Sequence, residues 1–357
     1  MPGPKGICQM KLLVSALEPS SNLHLKEVLK HMHDVKLMGI FDKSIKQGTP
    51  LYDISEMAVM GVVDALKKLR WFFKVADEMV ELASEADKVL LMDSSGFNLP
   101  LAKKLKEAYP QKEIIYYILP QVWASRPKRV KKLETYCDRL LGILPFEIDC
   151  YTKGKAQYVG HPLLDEIKTE RNPNEAKGCI AFLPGSRRSE ISRLMPIFLE
   201  LRRKLGNAIH PLLVIPPHFS KQKIAKLYAG SQEFEIVRDT HEALKRSEFA
   251  FVCSGTATLE AALIGTPFTL AYIAKKIDFF IGTKLLGIKQ VGLANIILTH
   301  HNNTALHNEL LQENATVDNL LKEYYNADRN IFAKKAQELR AYLSHGSSQN
   351  VAKIIME

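Results

Sequence analysis

The sequence predicts an α/β chain of two doubly wound, parallel-sheet domains facing a cleft. Three observations carry this. Short apolar runs alternate with amphipathic helical runs along the chain. The alternation stops once, at the polar stretch Asp165–Lys177, and then resumes. The 357 residues also exceed what one hydrophobic core usually serves.

In the first series Lys11–Leu17, Val35–Ile40, Lys88–Met92, Glu113–Leu119 and Leu140–Leu144 read as strands, and Leu23–Met32 as a helix. In the second, Cys179–Leu183, Leu212–Ile215, Phe234–Val237, Phe249–Cys253 and Phe268–Tyr272 read as strands. Ile191–Leu205 has apolar residues at helical spacing, and Pro196 within it predicts a kink. The expected boundaries are a first domain at 1–165, with 1–9 an extension, a linker at 166–177, a second domain at 178–335, and a C-terminal helix at 336–357. That helix is expected to pack across the domains or against a partner subunit. In open α/β sheets ligands bind beyond the carboxyl ends of the strands, here toward the cleft.

Composition narrows the function. Lys and Arg number 49 against 39 Asp and Glu, for a net charge of +10. Such an excess favours anionic partners: nucleic acid, an anionic membrane surface or phosphorylated substrates. No zinc-finger or RNP-type motif is present, so nucleic acid is not expected. Cys8, Cys137, Cys150, Cys179 and Cys253 form no CxxC pair, which suits a reducing cytoplasm. No apolar run approaches the roughly 18–20 residues of a membrane span. The apolar stretch Leu12–Leu17 is too short for a signal peptide.

The strongest local signal is Ser254-Gly255-Thr256-Ala257-Thr258-Leu259-Glu260, between an apolar strand and a helix that stops at Gly265. The free N–H groups of that helix start, with the Thr256 and Thr258 hydroxyls, can hold a phosphate. Glu260 can accept hydrogen bonds from ribose hydroxyls. An ordinary capped helix carries the same residue types, and both readings stand on this segment alone. Leu183–Glu190 repeats the design, and Gly185, Ser186, Arg187 and Arg188 offer a turn and charge for a diphosphate. A solvated basic turn is the alternative there.

Asp93 lies where the apolar strand Lys88–Met92 opens into a loop. A carboxylate there can serve as a general base, or simply as a turn residue. Glu18-Pro19-Ser20-Ser21-Asn22 ends the first strand and faces the same way. The sequence holds no DxD, HExxH, GxSxG or P-loop motif, so neither a metal nor a cofactor is expected. Two stretches mix aromatics with bases. Ala65–Met79 contains Trp71-Phe72-Phe73, and Ala274–Gly292 contains Phe279-Phe280-Ile281. Both fit an interfacial helix or an acyl groove, and equally a core-facing helix with a basic outer face.

Taken in order, these pieces resemble the lipid-A-disaccharide synthases, glycosyltransferases of GT-B architecture. The resemblance covers roughly residues 11–300. It rests on Glu18–Asn22, Met60-Gly61, Asp93 with Phe97-Asn98, Pro120–Ala124, Leu144–Glu147, Val159–Leu163, Leu183–Glu190, Ser254–Glu260 and Asn295. It implies an acceptor-binding, catalytic first domain and a UDP-sugar-binding second one. It implies an inverting transfer from UDP-2,3-diacylglucosamine to 2,3-diacylglucosamine 1-phosphate (lipid X), giving a β-1,6 disaccharide 1-phosphate and UDP. Asp93 and Arg187 are then the catalytic candidates. Gly185, Ser186, Arg187, Ser254, Gly255, Thr256, Thr258, Glu260 and Asn295 are the UDP-binding candidates. Glu18, Ser20, Asn22, Trp123 and His161 are candidates on the acceptor side. The implied location is peripheral, on the cytoplasmic face of the inner membrane, with a homodimer left open. A UDP-N-acetylglucosamine 2-epimerase and a non-catalytic sugar-nucleotide binder share the fold and are the alternatives.

The chain departs from the family pattern at four places. Gly96 stands where a second Asp is usual, leaving Asp93 as that loop's carboxylate. Ser125 replaces a second Trp, Asn22 an acidic residue, and Thr299-His300-His301 the usual Gly-Arg after Asn295.

Overall fold

A computed structural model describes residues 9–55, 65–172, 178–217, 219–274 and 290–357, with the side chains of 65–69 excepted. Residues 1–8, Met60-Gly61, Lys67, Lys68 and the Lys275–Lys289 part of the second aromatic-basic stretch lie outside what is described. The chain forms two compact units, one of residues 1–166 with 343–357, the other of residues 167–342.

The first unit is built on a six-stranded parallel sheet: β1 (Met10–Ala16), β2 (Val35–Ile40), β3 (Lys88–Met92), β4 (Glu113–Tyr117), β5 (Arg139–Gly142) and β6 (Ala156–Tyr158). Their order is β2-β1-β3-β4-β5-β6. Neighbouring residues of these strands face opposite ways, and both faces are covered. Leu13, Val89, Leu91, Ile114 and Tyr116 enter one core. Leu12, Val14, Leu90, Met92, Ile115 and Tyr117 enter the other.

The second unit repeats the plan with β7 (Cys179–Leu183), β8 (His210–Val214), β9 (Glu235–Val237), β10 (Phe249–Val252), β11 (Phe268–Tyr272) and β12 (Glu309–Leu311), in the order β12-β11-β10-β7-β8-β9. Counted from β7, that is the 3-2-1-4-5-6 order of a dinucleotide-binding sheet. Its core is aromatic: Phe182 meets Phe198 at 5.5 Å, Phe234 at 5.2 Å and Phe251 at 5.4 Å between ring centres. The predicted α/β, GT-B-like class holds.

Several local expectations shift. The first helix is Pro19–Leu29, starting earlier than Leu23 because Pro19 fills its first turn and Glu18 caps it in extended backbone. The helix Arg188–Leu205 starts early too and runs on through Pro196. The strands β6 and β12 escape sequence reading: each is a three-residue edge strand, like β9, but without the preceding apolar residue that Phe234 gives β9. So short a piece carries no periodicity.

The single C-terminal helix expected over 336–357 is instead two, Arg329–Leu343 and Ser347–Met356. Ser344 at φ 39° and Gly346 at φ 91° break the chain between them. The last helix buries Val351, Ala352, Ile354 and Ile355 in the first unit's core. Asp165 fixes its start by accepting from Gly346 N–H at 2.9 Å and Ser348 N–H at 2.7 Å.

Candidate functional site

Each sheet has one point where the strand order reverses, and each pair of candidate loops leaves the sheet there. In the first unit the reversal lies between β1 and β3, where Ala16 pairs with Met92. The chain then enters Leu17-Glu18 on one strand and Asp93-Ser94 on the other. In an open sheet this is where a crevice forms and ligands bind.

The Asp93 turn is strained and tightly held. Asp93 has φ 49° and Ser94 φ 37°, left-handed values that L residues other than glycine adopt at a cost of about 1–3 kcal/mol each. Asp93 N–H donates to the Tyr117 carbonyl at 3.1 Å. The Asp93 carbonyl accepts from the Tyr116 hydroxyl and from Asn98 Nδ2, the latter at 3.0 Å. Asn98 is itself buried and accepts from the Ser15 hydroxyl at 2.6 Å. The Asp93 carboxyl is pushed up by burial, while the Ser94 amide and nearby His24 draw it down; the net shift is upward. Such a group is a better proton acceptor than an exposed aspartate.

Asp93 and Glu18 line a cavity of about 510 Å³. Its other walls include Phe72, Phe73, Phe97 and Lys104. Three aromatic rings and one cation thus stand on its walls beside the Asp93 and Glu18 carboxylates. Phe72 packs on Phe97 at 5.5 Å and on Trp71 at 5.3 Å. Trp71 and Phe72 of the helix Ala65–Leu82 turn toward the first unit's own core, leaving Phe73, 51% exposed, as its outward ring.

The other acceptor-side candidates stand differently. Ser20 is exposed in the first turn of the helix Pro19–Leu29. Asn22 is buried and committed to backbone. Its Nδ2 donates to the Ala16 carbonyl at 2.8 Å and the Glu18 carbonyl at 2.9 Å, and its Oδ1 accepts from Asp42 N–H at 2.7 Å. It shapes the Glu18 loop from behind. His161 is buried and held neutral, its pKa pushed down to about 3 by burial and by His24. It accepts from Leu163 N–H at 3.3 Å. Trp123 packs edge-on against Phe146 at 5.3 Å.

In the second unit the reversal lies between β7 and β10, where Leu183 pairs with Val252 and Cys253 N–H donates to the Leu183 carbonyl at 2.8 Å. The Gly185–Arg187 and Ser254–Thr256 loops therefore emerge side by side. Gly185 has φ 96°, and a Cβ there would come within 2.5 Å of Glu190 Oε2, so only glycine fits. Arg187 caps the helix Arg188–Leu205. Its N–H donates to Glu190 Oε2 at 3.2 Å and its Nη1 to Glu190 Oε1 at 2.8 Å. Arg187 nonetheless keeps 77% of its side chain exposed.

Gly255, at φ 105°, caps the helix Thr256–Ile264 with no side-chain hydrogen bond to its first turn. That turn offers its N–H groups and the positive end of the dipole to an anion. Ser254 is half-buried and Ser186 exposed at this surface. Thr258 is buried: its hydroxyl donates to the Gly255 carbonyl at 2.9 Å and accepts from Leu293 N–H at 3.1 Å. Asn295 is buried as well. Its Nδ2 donates to the His307 carbonyl and to Glu309 Oε1, both at 2.9 Å, and its Oδ1 accepts from Leu306 N–H at 2.8 Å. Both residues hold the loops from within. Glu260 lies half-buried, 3.8 Å from His241.

Residues 12–356 match the family model described as Lipid-A-disaccharide synthetase. The chain belongs to this family. A lipid-A-disaccharide synthase of Helicobacter acinonychis is 48% identical over 354 residues, covering 96% of each chain. That of Campylobacter jejuni is 44% identical, covering 97% of this chain and 99% of its own. The chain is accordingly a glycosyltransferase of lipid A biosynthesis. Among solved structures, UDP-GlcNAc 2-epimerase from Neisseria meningitidis bound to UDP-GlcNAc aligns with a TM-score of 0.62 at 10% identity, covering 97% of this chain and 99% of that one. CalG4, the calicheamicin glycosyltransferase, aligns at 0.56 and 12% identity, covering 98% of each. At such identities the likeness is one of fold.

For this lipid-A-disaccharide synthase family member, sequence reasoning missed three supports. Glu190 had a local signal, three residues after Arg187, as in a capping box. Asn98 stood in a quoted motif but without a role. Glu309 had no local signal. Its carboxylate accepts from Val291 N–H at 2.7 Å and Gly292 N–H at 3.1 Å, and Gly292 bridges to Gly255.

Proposed function

We propose that the enzyme transfers the diacylglucosaminyl group of UDP-2,3-diacylglucosamine to the 6-hydroxyl of 2,3-diacylglucosamine 1-phosphate with inversion. The observation that carries this reading is Asp93, a half-buried carboxylate of raised pKa on the wall of an aromatic cavity that also holds Lys104. The family membership supports it.

In this reading the acceptor O6 attacks C1 of the donor sugar. The new C1–O6 bond forms as the bond from C1 to the phosphate oxygen breaks. The hydroxyl proton passes to Asp93, and the electron pair leaves with UDP. Arg187 and the N-terminal turn of Thr256–Ile264 meet the charge that develops on UDP, where such stabilisation lowers the barrier most. Gly185, Ser186, Ser254 and Gly255 line the diphosphate, and Glu260 takes the ribose. Thr258 and Asn295 position those loops. Glu18, with Ser20 and Trp123, serves the acceptor side, and Phe72, Phe73 and Phe97 an acyl chain.

Location follows from the substrates. Both are acylated anions, the chain carries +10 net charge, and no described helix is long and apolar enough to cross a membrane. A peripheral position on the cytoplasmic face of the inner membrane fits these facts.

The test mixes protein, both lipid substrates and detergent, and follows products by mass spectrometry and anomeric configuration by NMR. A β-1,6 disaccharide 1-phosphate and UDP are expected. Folded protein that forms no disaccharide, or that converts UDP-N-acetylglucosamine without lipid, overturns the proposal.

A further inference from the structure

The second unit contains another cavity, at the opposite ends of its strands. Glu248 immediately precedes β10, Pro267 immediately precedes β11, and Gly265 closes the helix Thr256–Ile264. All three line a cavity of about 490 Å³. The nucleotide loops follow the other ends of the same sheet. The helix between spans 9 residues, about 13 Å.

The floor of this cavity is apolar, made of Ala262, Ile264, Ala333 and Ala336. Arg171, Arg329 and Arg340 bring three guanidinium groups against the two carboxylates of Glu170 and Glu248. The carboxylates are engaged. Glu170 pairs with Arg340 Nε at 3.2 Å. Glu248 accepts from the Tyr324 hydroxyl at 2.6 Å and Gly178 N–H at 3.0 Å, with Arg329 at 3.8 Å.

Arg171 is differently placed. Its Nε donates to the Ser247 carbonyl at 2.7 Å, and among the described residues no carboxylate lies within ion-pair distance of its guanidinium. It is half-buried; burial and the like charge of Arg329 draw its pKa down, against the pull of Glu248, and the net shift is downward. Part of this cluster has a structural use. Arg171 N–H donates to the Ile264 carbonyl at 2.8 Å and Arg340 to the Leu263 carbonyl, which satisfies the helix C-terminus. That use accounts for Arg340 and for the Arg171 backbone, while the Arg171 and Arg329 side chains line the same cavity and their like charges repel. Two guanidinium groups over an apolar floor favour an anion that carries its own apolar part.

We propose that this cavity binds a small organic anion, its phosphate or carboxylate group on Arg171 and Arg329 and its short apolar body on the alanine-lined floor. The site stands apart from the transfer chemistry and does not depend on it.

The test titrates phenyl phosphate, and separately benzoate, into the full chain saturated with UDP, by isothermal calorimetry. Saturable binding of at least one is expected, and the stronger of the two tells which anionic group the site prefers. Inorganic phosphate and benzyl alcohol should bind at least about tenfold more weakly, each lacking half of the ligand. Arg171→Gln and Arg329→Gln should each weaken binding by about tenfold or more, and Arg187→Ala should leave it unchanged. The Arg329 side chain is 47% exposed, so its variant keeps the test decisive if Arg171→Gln folds poorly, with circular dichroism as the check on fold. No saturable binding of either probe overturns the proposal. So does unchanged affinity in Arg329→Gln, or inorganic phosphate binding as tightly as phenyl phosphate. Loss of binding in Arg187→Ala would move the probe to the nucleotide loops, with the same consequence.

Discussion

Asn98 holds Asp93 in its left-handed turn. Its Nδ2 donates to the carbonyls of Met92 and Asp93, both at 3.0 Å, and its Oδ1 accepts from Ser15 on the neighbouring strand. In the proposed mechanism the backbone of the residue that takes the proton is thus held by a side chain that never needs to meet substrate. Asn98→Ala should lower kcat by about tenfold with KM little changed, and cost about 1–3 kcal/mol in chemical denaturation, because buried partners lose their hydrogen bonds. An unchanged kcat would show that the turn's geometry does not set the rate.

Asp93→Asn should lower kcat by about 10²–10⁴-fold, the usual worth of a general base. The base works only when ionised, so kcat/KM should fall as pH drops through a pKa above the ordinary 3.8. A raised carboxyl also favours its protonated form in the folded state. Its contribution to stability is present below the unfolded pKa and is lost as pH rises through the folded one. Asp93→Asn should therefore melt no lower than the parent at neutral pH, and a marked loss of stability would contradict this placement.

Arg187→Ala should reduce kcat by about 10²-fold, because charge on UDP grows as the bond to C1 breaks. The side chain is largely exposed, so calorimetric melting should move little. Near-normal turnover in the purified variant removes Arg187 from the mechanism.

Thr258 gives a way to tell positioning from contact. Thr258→Val loses both hydroxyl hydrogen bonds, at a cost of about 1–3 kcal/mol, and should raise the KM for the donor. Thr258→Ser keeps the hydroxyl and should restore the KM. Recovery in the serine variant without recovery of stability would not fit.

Burial pushes the Glu147 carboxyl up to about 7, against hydrogen bonds from the Leu144 and Ile143 amides. Its proton therefore stabilises the fold below the ordinary carboxylate range, and this contribution is lost as pH rises through about 7. Glu147→Gln keeps the acceptor and removes the titration. It should be more stable than the parent by about 2–3 kcal/mol at mildly alkaline pH and nearly equal in acid, as read by denaturant midpoints.

The alternation of apolar runs and helices by itself determined the fold class, since a strand buried on both faces must be apolar along its length. The Gly185 and Gly255 turns were legible for the same kind of reason: strand, glycine and helix start are contiguous in the chain. Asp93 was legible as a residue at a strand end. Tertiary structure alone decided what surrounds these groups. Sequence could not show that Thr258, Asn22, His161 and Asn295 turn inward, because a polar side chain reads the same whether it meets a ligand or a buried amide. Nor could it show that Glu309 supports Gly292, or that Ser15 donates to the Asn98 that holds Asp93. The Gly292–Glu309 and Ser15–Asn98 contacts join residues 17 and 83 positions apart, and only the tertiary fold brings them within hydrogen-bonding distance.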